Sequence, residues 1–384
     1  MQLLHCVCTI IIDTDFILFY NDTIRFLLSP GGFIMAVTIK DVAALAGVSS
    51  STVSRTCKNN PSISEETKEK VRRAMAQLGY EPNFQASNLA SKNSRTIGII
   101  LPVSAREAYE NPFYLEAIRG VSQLCNKRQY INTVITGESE EEILQVLKTM
   151  ARSGQVDGFI VLYSRQDDPI AGFLYNEGFL YVLVGKAYAH ANQTIYIDND
   201  NLLASQEATE YLYQMGHRRI GYIGTDTSMI FSADRKSGYQ TALLQHNILP
   251  RADYCVEMAA SEKDSAPLRC LLSIPDRPTA VVVSDDILAV TLERVCLEMG
   301  LSIPQDLSII SFNNSLFARL TSPQLTSVDI NSFQLGSEAA AQMINHIEDP
   351  DLPATKILVP HHMVERDSCC PPDTPLITNT TNAI

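Results

Sequence analysis

Gly47 sits between two short stretches that each carry the marks of a helix, and few small folds accommodate that arrangement. Before it, Thr38 supplies an N-cap and Asp41 favours the first turn. Ile39, Val42, Ala43 and Ala46 share one apolar face at helical spacing. After it, Val48 packs in the turn and Ser49 caps a second helix running from Ser50 to about Cys57. A third helix is capped by Ser64, carries Glu65 and Glu66 in its first turn, and turns Val71, Ala74, Met75 and Leu78 inward. Gly79 ends it, and Pro82 forbids its continuation. Helix, short glycine-containing turn, helix is the helix-turn-helix pattern.

Charge points the same way. The chain carries a formal charge of −13, but residues 36–95 hold nine Lys or Arg against five acids, a local +4. Residues 1–35 carry −2, which leaves −15 on residues 96–384. A basic segment on an acidic body suits a polyanion-binding head joined to a body that repels polyanions. The same charges also suit a solvated helical surface. The second helix adds chemistry: its exposed side chains are Ser50, Ser51 and Thr52, followed by Arg55. Short hydroxyls let a helix backbone approach the floor of a DNA groove. Arg55 reaches a guanine O6/N7 edge in bidentate fashion, worth about 1–3 kcal/mol of discrimination. Ser49, Thr52 and the amides near the helix start suit phosphate oxygens. A three-helix packing module without a ligand has the same pattern.

The length of 384 residues implies two to three domains at roughly 150 residues each. With 45% hydrophobic and 19% charged residues, a disordered, collagenous or coiled-coil chain is excluded. Nine cysteines at irregular spacing argue against a secreted disulfide framework and for a reducing, cytoplasmic setting. No uncharged apolar run is long enough for a membrane span. Residues 1–34 are apolar but lack a basic start, and Asp13 and Asp15 interrupt them, so they fit neither a secretory signal nor an anchor. Pro30-Gly31-Gly32 can be encoded by CCA-GGA-GGN, which contains the ribosome-binding sequence AGGAGG. Translation is therefore expected to begin at Met35, with 1–35 a disordered upstream segment.

Beyond residue 95, β-branched apolar runs alternate with helical stretches at roughly thirty-residue spacing, the βαβ rhythm. The expected strands are Thr96–Val103, Ile131–Thr136, Val156–Tyr163, Leu180–Val184, Arg219–Gly224, Thr279–Val283 and Leu307–Phe312. Continuously apolar runs of this kind are buried parallel strands. Many α/β enzymes share the rhythm, so it leaves function open. In open α/β sheets ligands bind beyond the carboxyl ends of the strands. Those ends carry Gly185-Lys186, Thr225-Asp226, Ser284-Asp285-Asp286 and Asn313-Asn314, and Arg235 follows a strand closely. Carboxylate, amide and guanidinium groups converging on a cleft suit a polyhydroxylated ligand. Phe113 and Tyr114 are candidates to cover a sugar's apolar faces.

The run TIKDVAALAGVSSSTVSR (38–55), then ISEETKEKV (63–71) and LGYEPN (78–83), resembles in order and spacing the head of the LacI/GalR family of bacterial transcription regulators. The resemblance implies DNA contacts from Ser49, Ser50, Ser51, Thr52 and Arg55. It also implies a hinge over Asn83–Ser91 that folds only on DNA, with Asn83 in contact and Leu89 wedged into a central base step. Thr56-Cys57-Lys58 departs from the family's usual Val-Leu-Asn, which bears on packing under the second helix, and Ser87 stands where Arg is frequent. For the body it implies a periplasmic-binding-protein-like α/β fold of two doubly wound parallel-sheet lobes. Arg235, in RKSG, resembles the effector-anchoring arginine, and Asp285, in VVSDD, a ligand-binding acid. Asn313 replaces the first Asp of the family's Gly-Phe-Asp-Asp, exchanging a pure acceptor for a donor and acceptor. Lys186, from the strand-end reading, is a further effector candidate, Asp286 is expected to cap the next helix, and Asn314 to serve the turn.

The implied organisation is a head over 36–82, a hinge and linker over 83–95, and an effector-binding, dimerising body over 96–370. Lobe one would take about 96–197 and 328–358, lobe two about 198–327 and 359–370, with 371–384 a disordered tail lacking the heptads of a coiled coil. NPFYLEAIRGVSQ, DGFIVLYS, YIDNDN, ATEYL and TSVDINSFQLG further resemble maltose-operon regulators of the MalR type in Gram-positive bacteria. The implied function is a homodimeric repressor of sugar-utilisation genes, binding double-stranded operator DNA and a small sugar, maltose or a related α-glucoside, with no cofactor. The alternatives are an extracytoplasmic sugar-binding protein and a sugar-modifying α/β enzyme. The latter finds no Gly-x-Ser-x-Gly, P-loop or His-Glu-x-x-His. His361-His362 read as surface residues rather than metal ligands, Cys369-Cys370 as free thiols, and His217-Arg218-Arg219 as serving a helix end.

Overall fold

The computed structural model describes residues 37–57, 59–81, 94–102, 108, 110–258 and 265–372. The expected upstream segment 1–35, hinge residues 83–93 and tail residues 373–384 lie outside the described residues. The chain divides into two compact units, Met1–Ser91 and Lys92–Ile384.

In the first unit α1 (Ile39–Ala46), α2 (Ser50–Cys57) and α3 (Glu65–Leu78) follow the expected boundaries closely. The Thr38 N–H and hydroxyl both donate to the Asp41 carboxylate, at 2.8 and 2.7 Å, and hold that carboxyl below its usual pKa. Gly47 then closes α1 at φ 68°, a left-handed conformation that costs glycine little. The Ser64 hydroxyl accepts the Thr67 N–H at 3.3 Å and caps α3. Val42, Ala43, Val53, Val71 and Ala74 form the buried core, with Ile39, Val48, Met75 and Leu78 packed around it.

The second unit holds two six-stranded sheets. The strands are β1 (Thr96–Ile100), β2 (Ile131–Ile135), β3 (Gly158–Val161), β4 (Tyr181–Val184), β5 (Ile195–Asp198), β6 (Ile220–Gly224), β7 (Cys255–Glu257), β8 (Ala280–Val283), β9 (Ser308–Phe312), β10 (Thr326–Asp329), β11 (Lys356–Leu358) and β12 (His362–Val364). Their orders are β11-β5-β4-β3-β1-β2 in one lobe and β12-β10-β9-β8-β6-β7 in the other. Neighbours pair in parallel, except that β12 runs antiparallel to β10. The helices are α4 (Pro112–Lys127), α5 (Glu140–Arg152), α6 (Pro169–Asn176), α7 (Asn201–Gln214), α8 (Ile230–Gln245), α9 (Ala266–Ser273), α10 (Asp286–Met299), α11 (Leu316–Leu320) and α12 (Ser332–Glu348). Among the described residues no helix is long and apolar enough to cross a membrane.

Each of the seven expected strands is present, trimmed at its ends. The strand over 131–135 is not buried as expected: it lies at the sheet edge, and Ile131 is 65% exposed. The unexpected strands are short or polar. β10 reads Thr-Ser-Val-Asp, and its buried hydroxyls are taken up inside the fold: Ser327 donates to Asp286 at 3.0 Å, and Thr326 accepts the Arg366 N–H at 2.9 Å.

Glycines set how closely the layers pack. A Cβ on Gly120 of α4 would lie 2.1 Å from the Phe333 carbonyl oxygen, and one on Gly336 of α12 would lie 2.0 Å from that of Ala117. The two helices therefore meet backbone to backbone.

The chain crosses between the lobes after β5, after β10 and after β11. At the first crossing, buried Asn199 donates its side-chain amide to the carbonyls of Ile330 at 2.9 Å and Val359 at 2.8 Å, one on each of the other crossings. Asn199→Ala would leave both carbonyls short of a donor, at about 1–3 kcal/mol per orphaned group. Urea denaturation is expected to show a lower midpoint at unchanged slope.

Candidate functional site

In the first unit the outward face of α2 carries the expected residues. Val53 and Thr56 turn inward, leaving Ser49, Ser51 and Arg55 exposed and Ser50 and Thr52 half-buried. The Ser49 hydroxyl accepts the Thr52 N–H at 3.2 Å and lies 2.8 and 2.9 Å from the Ser51 and Thr52 hydroxyls. The start of α2 is thus a patch of hydroxyls, one turn before the Arg55 cation. Of the departures from the family pattern, Thr56 is buried with its hydroxyl unpaired among the described residues, and the Cys57 thiol lies 3.9 Å from the Met75 sulfur. Asn83 and Leu89 lie outside the described residues.

In the second unit a cavity of about 570 Å³, its open mouth included, is lined by residues of both lobes. Arg235, Asp285, Asn313, Phe113 and Tyr114 line it. Lys186 does not; it is 56% exposed, and its ammonium lies 3.6 Å from the Asp234 carboxylate.

Arg235, on α8, is 3% exposed. Its Nε donates to Asn201 Oδ1 at 2.9 Å and its Nη1 to the Ser284 carbonyl at 2.6 Å, while the guanidinium carbon lies 4.2 Å from the Phe312 ring centre. Burial lowers its pKa to about 10, so it stays charged at neutral pH. Asp285 does two things at once. Its Oδ1 accepts the Ile287 N–H at 2.7 Å and caps α10, while Oδ2 accepts the amides of Asn313 at 2.8 Å and Asn111 at 3.3 Å. The helix cap expected of Asp286 therefore belongs to Asp285. Asp286 lies beneath, accepting from the Ser311 and Ser327 hydroxyls at 2.5 and 3.0 Å and from the Ser315 N–H at 2.7 Å. Asn314 follows β9 at φ 47° and donates its amide to Asp329 on β10 at 2.8 Å.

Phe113 and Tyr114 open α4, set there by the Asn111 cap and Pro112, with ring centres 5.1 Å apart edge to face. Asn111 also reaches across the lobes, since its amide is one of the two on Asp285. The main chain joins the lobes at a second place. Gln166 donates to the Ser228 carbonyl at 2.9 Å and Ile230 to the Ser164 carbonyl at 3.0 Å, around an antiparallel bridge between Arg165 and Met229.

Sequence reasoning missed Asn111, Asp198, Asn201 and Phe231, all in the cavity lining. The signal was present in Asp198-Asn199-Asp200-Asn201, a polar cluster at a strand end, but β5 itself was not anticipated. Buried Asp198 accepts the Asn201 amide at 3.1 Å. Burial pushes its pKa up to about 7, and burial with the neighbouring Asp286 charge pushes Asp285 up to about 6. Elsewhere, His217 and Arg218 do serve the helix end. The His217 N–H donates to the Leu212 carbonyl at 3.1 Å and Arg218 to the Tyr213 carbonyl at 2.8 Å, both at the end of α7, while the His217 ring is buried between the Thr279 hydroxyl and the Cys370 carbonyl, at 2.9 Å from each. His361 faces Glu207 at 3.0 Å, and no group of three described His, Cys, Asp or Glu is placed to hold a metal.

A helix-turn-helix head followed by a two-lobed, ligand-cavity body defines a class of one-chain DNA-binding regulators. Residues 38–83 match the model of bacterial regulatory proteins of the lacI family, and residues 209–369 that of periplasmic binding protein-like domains. The chain is 36% identical over 336 residues to the HTH-type transcriptional regulator MalR of Staphylococcus xylosus, covering 86% of this chain and 98% of that protein. It is 34% identical over 340 residues to the MalR regulator of Streptococcus pneumoniae serotype 4, covering 86% and 100%. The solved complex of the transcriptional regulator CelR with cellobiose superposes with a TM-score of 0.68 at 29% identity, covering 86% and 99%. The chain belongs to the LacI family of bacterial regulatory proteins. It is a DNA-binding transcription regulator and not an enzyme, and the reading as a sugar-modifying α/β enzyme falls with that.

Both cavity acids have raised pKa values, so the folded state binds protons that the unfolded chain releases between about pH 4 and about pH 7. Their contribution to stability is therefore lost as pH rises through that window. Thermal melts from about pH 5 to about pH 8 are expected to show Asp198→Asn falling less steeply than the parent.

Proposed function

We propose that the protein is a cytoplasmic, homodimeric repressor of sugar-utilisation genes whose hold on operator DNA is set by maltose or a related α-glucoside. The observation that carries this reading is the lining of the interlobe cavity. A buried guanidinium, two buried carboxylates and four side-chain amides provide donors and acceptors for hydroxyl groups, and Phe113 and Tyr114 provide ring faces. The names of the MalR relatives and the cellobiose in the CelR complex support a small glucoside as the class of ligand.

On this reading Ser49, Ser50, Ser51 and Thr52 meet the backbone and shallow groove edge, Arg55 reads a base, and Arg235, Asp285 and Asn313 hold the sugar. Subunits pair through their bodies, and α11, which leaves Leu316, Phe317 and Leu320 exposed, supplies apolar surface for that contact. The coupling between sugar and DNA is expected to amount to about 1–3 kcal/mol.

Fluorescence anisotropy on duplexes from the protein's own promoter, with and without a series of saccharides, tests this directly. Binding should weaken with salt by about 0.9 in log-log slope per phosphate contact. Arg55→Ala is expected to lose about 1–3 kcal/mol of operator discrimination and keep its sugar affinity by calorimetry. Arg235→Ala, with Arg235→Lys as the milder variant, is expected to keep operator binding and lose the sugar response. A purified protein indifferent to promoter DNA under every saccharide would sink the reading.

A further inference from the structure

We propose that the first lobe carries a second carbohydrate site, separate from the interlobe cavity and built from tyrosines. A cavity of about 680 Å³, its mouth included, lies beside α6 and beyond the ends of β3 and β4, among Tyr163, Tyr175, Tyr188, His190, Asp167 and Asp168. It takes nothing from the second lobe. Tyr163 and Ser164 line both cavities, and the shared wall is tight there. The Ser164 hydroxyl donates to the Lys186 carbonyl at 2.5 Å, and a Cβ on Gly185 would lie 2.8 Å from the Ser164 Cβ.

Its lining suits a neutral pyranose. Tyr175 and His190 stack face to face, 3.8 Å between ring centres and 7° from parallel, and Tyr188 is 54% exposed beside them. The exposed Tyr188 ring and the outward face of the stacked pair offer cover for the C–H face of a sugar, while the Tyr175 hydroxyl is held by Gln193 at 2.6 Å. Asp167 is an exposed acceptor at the rim. The local cation is already committed, since Arg165 is paired with Glu140, which leaves Asp167 and Asp168 to repel phosphates and uronates. Asp167 and His190 are both held at positive φ, 50° and 51°, an uncommon conformation for residues other than glycine.

The site is also placed to act on the lobes. The segment that walls it, Ser164 to Asp168, contains the backbone that joins the second lobe through Ser228 and Ile230. A sugar that orders this segment favours the joined arrangement, so occupancy here and closure of the cleft are coupled. The inference goes beyond the cleft reading and does not depend on it.

The chain has no tryptophan, so Tyr188→Trp places a single emitter at this site in the full-length protein. It is titrated with maltose, maltotriose, cellobiose, glucose and galactose. At least one should give a saturable emission change that survives Phe113→Ala, a cleft variant, and weakens about tenfold or more with His190→Ala. No change with any of the five sugars would overturn the proposal. So would a change abolished by Phe113→Ala, since the tryptophan would then be reporting the cleft. Sugar-dependent operator anisotropy in the parent protein judges the cleft reading separately, so the two can fail independently.

Discussion

A single buried carboxamide ties together the three crossings of the chain between the lobes. Asn199 is fully enclosed, and its two N–H groups reach the carbonyls of Ile330 and Val359. Those carbonyls leave the ladders of β10 and β11 as the chain passes between lobes, so neither has a strand partner at that point. An apolar residue at 199 would bury them unsatisfied, and a carboxylate would repel them. The amide is the side chain that fits, and the cavity a few residues away inherits its shape from that junction. Asp198 and Asn201, on either side of Asn199, both line that cavity.

The cavity is an electrostatic compromise rather than a set of separate contacts. Arg235 loses most of its hydration on burial and regains interactions from Asn201, the Ser284 carbonyl and the Phe312 ring. The carboxylates around it are raised in pKa despite the nearby cation, so burial outweighs the attraction. Asp285 stays useful because it is shared. One oxygen is fixed by the helix it caps, and the other is held by two amides, one from each lobe. A ligand hydroxyl that displaces the 3.3 Å contact from Asn111 trades a long hydrogen bond for a shorter one.

Much of this was legible in the sequence, for identifiable reasons. The head was readable because its caps and breakers are local: Thr38 with Asp41, Gly47, Ser64 and Gly79 each act within a few residues. The buried strands of the body were readable from continuous β-branched runs such as Ala280–Val283. β10 and β11 were not: β10 keeps hydroxyls whose partners Asn314, Asp286 and Arg366 lie 13, 41 and 40 residues away. The strand-end rule found Arg235, Asp285 and Asn313, but it failed for Asp198 where the strand before it went unseen. It overreached at Lys186, where a long side chain turned to Asp234 instead. Asn111 carried no local signal, since its partner Asp285 lies 174 residues away.

The main-chain connections between the lobes differ in strength, and the difference bears on how the body works. The crossings are covalent and tied by a buried amide, whose loss leaves carbonyls orphaned. The join at Ser164–Gln166 and Ser228–Ile230 is two main-chain hydrogen bonds, each worth a net of about 0.5–1.5 kcal/mol. A structure pinned firmly at one place and lightly at another can pivot at the first and part at the second. The energy needed to part it is of the same order as the differential binding energy of a small ligand, about 1–3 kcal/mol. On the proposed reading, a sugar lodged among Arg235, Asp285 and Asn111 has leverage of that order over this join, whereas the crossings lie beyond its reach.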